Sequence, residues 1–159
     1  MGLFLSTYRK NIDKKGRVSV PSAFRAVLAE EDFSASTKFN GVILYNSFVN
    51  DCIEACGMSQ IEKLHHIIEN LDPFAEEKDA FAATILGGSV QLTFDSEGRV
   101  ILPAEMLISA HIVDEVVFVG KGKSFELWEP TRFDQHAKNS RILALEKRGQ
   151  LHSVKGGAS

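Results

Sequence analysis

Polar and apolar positions alternate through residues 17–20, with Val18 and Val20 apolar, and residues 8–12, bounded by apolar Tyr8 and Ile12, also look extended. Period-two alternation predicts half-buried strands. Between them stands Asp13-Lys14-Lys15-Gly16. Aspartate followed three positions later by glycine favours a type I turn closed by a left-handed residue. A β-hairpin with a four-residue loop is the expectation. Pro21 ends the second strand and suits the first turn of a helix from Ser22 to about Ala29. The same plan returns 82 residues later, where Asp95, Gly98, Arg99, Val100 and Pro103 match Asp13, Gly16, Arg17, Val18 and Pro21. Residues 90–94 and 99–102 are then strands around Asp95-Ser96-Glu97-Gly98, followed by a helix from Ala104 to about Ala110.

The second copy ends in a hairpin, residues 115–119 and 125–128 around a Gly120-Lys121-Gly122-Lys123 turn. Its counterpart lies around residues 38–45, with Leu44 and Tyr45 aligned on Leu127 and Trp128. Ser47 can cap a helix running from Phe48 towards Cys56. Ser59 can cap a second, with Ile61, Leu64, Ile67 or Ile68, and Leu71 at three-to-four spacing. Asp72-Pro73 breaks it, and a further helix from Phe74 to Leu86 ends at Gly87-Gly88. Residues 131–147 are helix-compatible, and 149–159 read as a mobile tail. Neither copy can bury a core alone, so the two are expected to share one barrel-like core.

Composition narrows the class. The chain has 159 residues, 44% hydrophobic and 25% charged. These values exclude a largely disordered chain, a collagen-like fibre and a coiled coil. No apolar run reaches the ~20 residues that cross a bilayer. The first residues lack the form of a signal peptide, and Cys52 and Cys56 alone make no disulfide framework, so a cytoplasmic location is expected. Net charge is −3, yet residues 1–25 carry six basic side chains against Asp13 alone. Local field, not net charge, steers a polyanion.

The first turn is therefore the candidate site. Lys14 and Lys15 sit at its tip, Arg9 and Lys10 precede it, and Arg17 can form two bonds to a guanine edge. The residues alone equally allow a solvated hairpin in which Asp13 pairs with Arg17. Asp13, Gly16, Asp95 and Gly98 are turn formers, and Arg99 is expected either to pair with Asp95 across the barrel or to be a minor DNA contact. The second turn carries Ser96 and Glu97 in place of lysines. Recognition is thus expected of the first copy and assembly of the second. Cys52, Cys56, His65 and His66 match no common zinc spacing, so no metal is expected. No cofactor or catalytic motif is present, and an enzyme is not expected. Phe118, Phe125 and Trp128 read as core.

Two Asp-x-x-Gly-Arg-Val-x-x-Pro motifs in register, with Glu126-Leu127-Trp128 closing the second copy, resemble the MraZ family. The resemblance spans roughly residues 3–145. It implies an α+β fold, mainly β with appended helices, in which two SpoVT–AbrB repeats form a pseudo-dimeric swapped-hairpin β-barrel. The repeats would occupy residues 7–54 and 89–132, with a helical connector at 55–88 and a C-terminal helix and tail at 133–159. It further implies a ring-like homo-oligomer that binds repeated short sites in double-stranded DNA. Those sites lie at the promoter of the division and cell-wall gene cluster, which places the protein at the nucleoid. By position it makes Asp13 and Arg17, and Asp95 and Arg99, the DNA-contacting turns. The alternative is an AbrB-fold, antitoxin-like protein that binds a protein partner.

Overall fold

The computed structural model describes residues 2–152, and the chain divides into two units, Met1–Glu129 and Pro130–Ser159. In the first unit one order of elements occurs twice. It runs β1 (Thr7–Asn11), β2 (Arg17–Ser19), α1 (Ser22–Ser34), β3 (Gly41–Asn46) and β4 (Ile53–Cys56). The second pass is β5 (Val90–Thr93), β6 (Arg99–Ile101), α4 (Ala104–Ser109), β7 (Glu115–Gly120) and β8 (Phe125–Trp128). Between the passes lie α2 (Met58–Glu69), α3 (Glu76–Phe81) and a π-helical turn (Ala82–Leu86). The second unit is built on α5 (Pro130–Glu146), where Gln135 donates to Asn139 one turn on. The expected tail lies partly in residues 153–159, outside the described residues; Gln150 to His152 are helical.

The fold is mixed α+β. Six strands form an antiparallel sheet in the order β1-β7-β8-β4-β3-β5, and β2 pairs with β6 as a separate two-stranded ribbon. β1 pairs with β7 and β5 with β3, so the first strand of each pass lies against the other pass. The register centres on Val18 opposite Val100 in the ribbon and on Glu54 opposite Glu126 in the sheet. The β7–β8 hairpin forms as expected. The two Asp-x-x-Gly hairpins are half right: the turns form, but the strands on either side of each have their ladders elsewhere. A lone hairpin has too little apolar surface to hold itself together. Pairing across the passes instead puts Tyr8, Ile12, Leu92 and Phe94 against one shared core. The described strands do not close into a barrel, since β1 and β5 remain the ends of the sheet order.

That core gathers around Phe24, which is fully buried. Its ring centroid lies 5.4 Å from Phe4 and Tyr8, 4.7 Å from Phe125 and 6.4 Å from Phe118. Trp128 is buried as expected. Phe4 reaches the core because its backbone exchanges hydrogen bonds with Gly122 at 2.8 and 2.9 Å. Burying each large side chain contributes roughly 1.5–3 kcal/mol.

Several helix expectations change. α1 runs to Ser34 rather than Ala29. No helix follows Ser47: its Oγ accepts the N–H groups of Val49 and Asn50, and its own N–H bonds Cys52. The chain then enters β4, so the counterpart of β8 is β4 and not the stretch holding Leu44 and Tyr45. β4 lies between β3 and β8 and is buried almost throughout, which erases the alternation that marks a strand. α2 is capped at Gly57, whose N–H bonds the Glu31 carboxylate of α1 at 3.0 Å, while Ser59 is buried beside the same carboxylate. The helix expected from Phe74 begins at Glu76 and widens at its end, where the Gly87 N–H reaches back five residues to Ala82.

Candidate nucleic-acid interface

Each Asp-x-x-Gly-Arg turn is organised by its carboxylate. Asp13 Oδ1 accepts the backbone N–H groups of Lys15 and Arg17, both at 2.9 Å, and Oδ2 accepts Arg17 Nε at 2.7 Å. Asp95 repeats the pattern with Glu97 and Arg99 at 2.8 and 2.9 Å, and with Arg99 Nε at 2.9 Å. Gly16 and Gly98 close the turns at φ +80° and +76°, a conformation that glycine adopts without a Cβ penalty. The backbone N–H of the following arginine is the leading cause that holds each aspartate below its ordinary 3.8. Both arginines are thus oriented through Nε. The pairing of Arg99 with Asp95 is made inside its own turn, not across a barrel.

The ribbon decides where those arginines point. Val18 and Val100 are buried. Alternation places Arg17, Ser19, Arg99 and Ile101 on the opposite, outer face. Arg17 stands across from Ile101 and Arg99 across from Ser19. The two arginines are therefore diagonal neighbours, with Cα atoms about 8 Å apart. One face of a two-stranded ribbon presents two guanidinium groups from two turns.

The predicted cations divide. Lys14 and Lys15 are exposed at the first turn beside Arg17, as expected. Arg9 and Lys10 are three to four residues down β1 from Asp13, roughly 10–13 Å at strand rise. Their side chains leave opposite faces of the strand, with Arg9 exposed at 3.6 Å from Glu115 and Lys10 half-buried. The second turn differs from the first in its acid, since Arg99 Nη2 also meets Glu97 at 3.2 Å. That pairing raises the Arg99 pKa further, with the Asp95 bond as the leading cause.

Arg25 escaped the sequence reading as a site residue. It projects from α1, donates its Nε to the Val20 carbonyl at 3.1 Å and lays its guanidinium against Gly98 of the second turn. The one available signal was its partner in the repeat alignment, Leu107, which is apolar.

A second cluster lies away from the ribbon. Cys52, Glu54 and Glu126 bring their ligand atoms within 4.8 Å of one another, whereas His65 and His66 are exposed on α2. Burial, then the Glu126 charge opposite, pushes Glu54 up to about 7. Glu126 accepts Trp128 Nε1 at 2.9 Å and lies 3.8 Å from Lys121 Nζ. Burial also pushes the Cys52 and Cys56 thiols up, which makes both poor nucleophiles.

Fold and site together define an α+β protein that displays matched Asp-x-x-x-Arg turns on one ribbon. Comparison with known proteins narrows this to a family. A family model described as "MraZ protein, putative antitoxin-like" matches residues 85–151. The transcriptional regulator MraZ of Rickettsia bellii (strain OSU 85-389) is 55% identical across 97% of this chain and 99% of its own length. The protein of the same name from Rickettsia akari (strain Hartford) is 51% identical over the same shares. The chain belongs to the MraZ family of transcriptional regulators, which are not enzymes.

Proposed function

We propose that this protein is a sequence-specific DNA-binding transcriptional regulator, and that the outer face of the β2–β6 ribbon is its DNA surface. The observation that carries the reading is the diagonal pair Arg17 and Arg99 on one ribbon, with Lys14 and Lys15 at its flank. A two-stranded ribbon fits the major groove of B-DNA, and arginine is the commonest reader of guanine there. Arg17 is the base reader. Lys14 and Lys15 hold phosphates, with Arg9 and Lys10 extending the positive field along β1.

The target is the promoter of the division and cell-wall gene cluster, as family membership suggests, and the protein acts in the cytoplasm at the nucleoid. No described helix is long and apolar enough to cross a membrane. The chain is organised as two SpoVT–AbrB units with exchanged first strands, a reading supported by the β1–β7 and β5–β3 pairings. Copies assemble into a ring, which sets several ribbons on repeated sites and gains affinity by avidity. Exposed Phe33, Val49 and Phe74 supply apolar surface for such contacts.

The test is a gel shift on the protein's own upstream promoter at two salt concentrations, wild type beside Arg17→Ala, with size exclusion run on both. Salt-sensitive binding that Arg17→Ala removes, at unchanged oligomer size, is the expected result. Absence of binding by wild type refutes the reading and moves the antitoxin-like alternative forward.

A further inference from the structure

We propose that Arg25 is the phosphate-holding cation of the second turn, supplied by α1 of the first pass to the tip of the second. The inference rests on the DNA reading above and extends it to a tip that lacks lysines. At the first turn, Asp13 stands against Lys14, Lys15 and Arg17, a net +2. At the second, Asp95 and Glu97 stand against Arg99 alone, a net −1. Such a tip repels a DNA backbone unless another cation is brought to it.

Arg25 is placed to be that cation. Its guanidinium fills the space beside Gly98 so closely that a Cβ there would fall 2.6 Å from Cζ. Its Nε is fixed on the Val20 carbonyl. Among the described residues no carboxylate lies within ion-pairing distance of it. It therefore borders an acidic turn as a half-buried, aimed and unneutralised charge. A polar hollow of about 200 Å³ opens beside it, lined by Arg25, Asn40, Asp95 and Ser96 among others. An arginine and a serine hydroxyl at one hollow suit a phosphate oxygen. The fold does not demand a cation at this place in the pattern, because the aligned residue, Leu107, packs on the core.

The experiment measures promoter binding across a salt series for wild type, Arg25→Gln, Arg25→Lys and Arg17→Ala, with a thermal melt of each. A single lost phosphate contact lowers the slope of log K against log salt by about 0.9 per contacting chain. Arg25→Gln is expected to show that drop, and Arg25→Lys, which keeps the charge, to restore most of it. A wild-type slope for Arg25→Gln overturns the proposal. So does equal loss by Gln and Lys with matching falls in melting temperature, which marks a purely structural role. If wild type fails to bind, or Arg17→Ala binds as wild type does, the DNA reading itself falls and takes the inference with it. Intact Arg17 dependence with an unaffected Arg25→Gln removes the inference alone.

Discussion

Replacing Glu54 by glutamine isolates the energetics at the centre of the sheet. Glu54 and Glu126 are directly opposed across β4 and β8. Around them stand Cys52, Asn50, Lys121 and the Trp128 indole. Burial and the facing carboxylate hold Glu54 at about 7, against an ordinary 4.5. The folded chain thus binds this proton more tightly than the unfolded chain does. The associated stability is complete below about pH 4.5 and is lost as pH rises through 7. Over about 2.5 pH units at about 1.4 kcal/mol each the loss is about 3.5 kcal/mol, which screening of this partly exposed side chain reduces to about 1–2 kcal/mol. Glu54→Gln removes the ionisation and keeps the shape. It should match wild type at pH 4 and exceed it at pH 8. For a domain of this size that is a gain in melting temperature of roughly 2–8 °C at pH 8. Circular dichroism melts at both pH values and one protein concentration read it directly. An equal difference at both pH values, or a less stable variant at pH 8, refutes the reasoning.

Phe24→Ala should cost about 3–5 kcal/mol in chemical denaturation, because its ring meets four other aromatic side chains; a loss below about 1 kcal/mol would contradict that central place. The Asp13 carboxyl should titrate below 3.8 by NMR and move upward in Arg17→Ala, so its contribution to stability holds at neutral pH and disappears on acidification; an unmoved midpoint would remove the Asp13–Arg17 bond from the account. Gly98→Ala should destabilise more than Gly16→Ala. Both residues adopt positive φ, but only at Gly98 would the new methyl meet the Arg25 guanidinium; equal melting temperatures would contradict this.

What the sequence revealed and what it hid follow from the range of the interactions. The two turns were legible because aspartate, glycine and arginine settle them within five residues. The partners of the strands were not, because β1 finds β7 more than 100 residues away and no local pattern encodes that pairing. Residues 48–56 misled because β4 is buried almost throughout, which removes the alternation that marks a half-exposed strand. Among the site residues, Lys14, Lys15 and Arg17 came together because they are neighbours in sequence. Arg25 was counted as charge and missed as a site residue, since only the return of α1 towards the second turn brings it there. Lys10 and Arg9 were grouped with the tip by proximity in sequence, and strand alternation separates them.

The central claim is that DNA lies on the outer face of the β2–β6 ribbon. Ile101 stands on that face opposite Arg17 and is 61% exposed, whereas Phe74, between α2 and α3, is 94% exposed. Replacing each in turn by the photo-crosslinking residue p-benzoylphenylalanine, then irradiating with labelled promoter DNA, tests the claim by contact. The account predicts a DNA adduct from position 101 and none from position 74. Adducts from position 74 with none from 101, in variants that still shift the promoter, would contradict it.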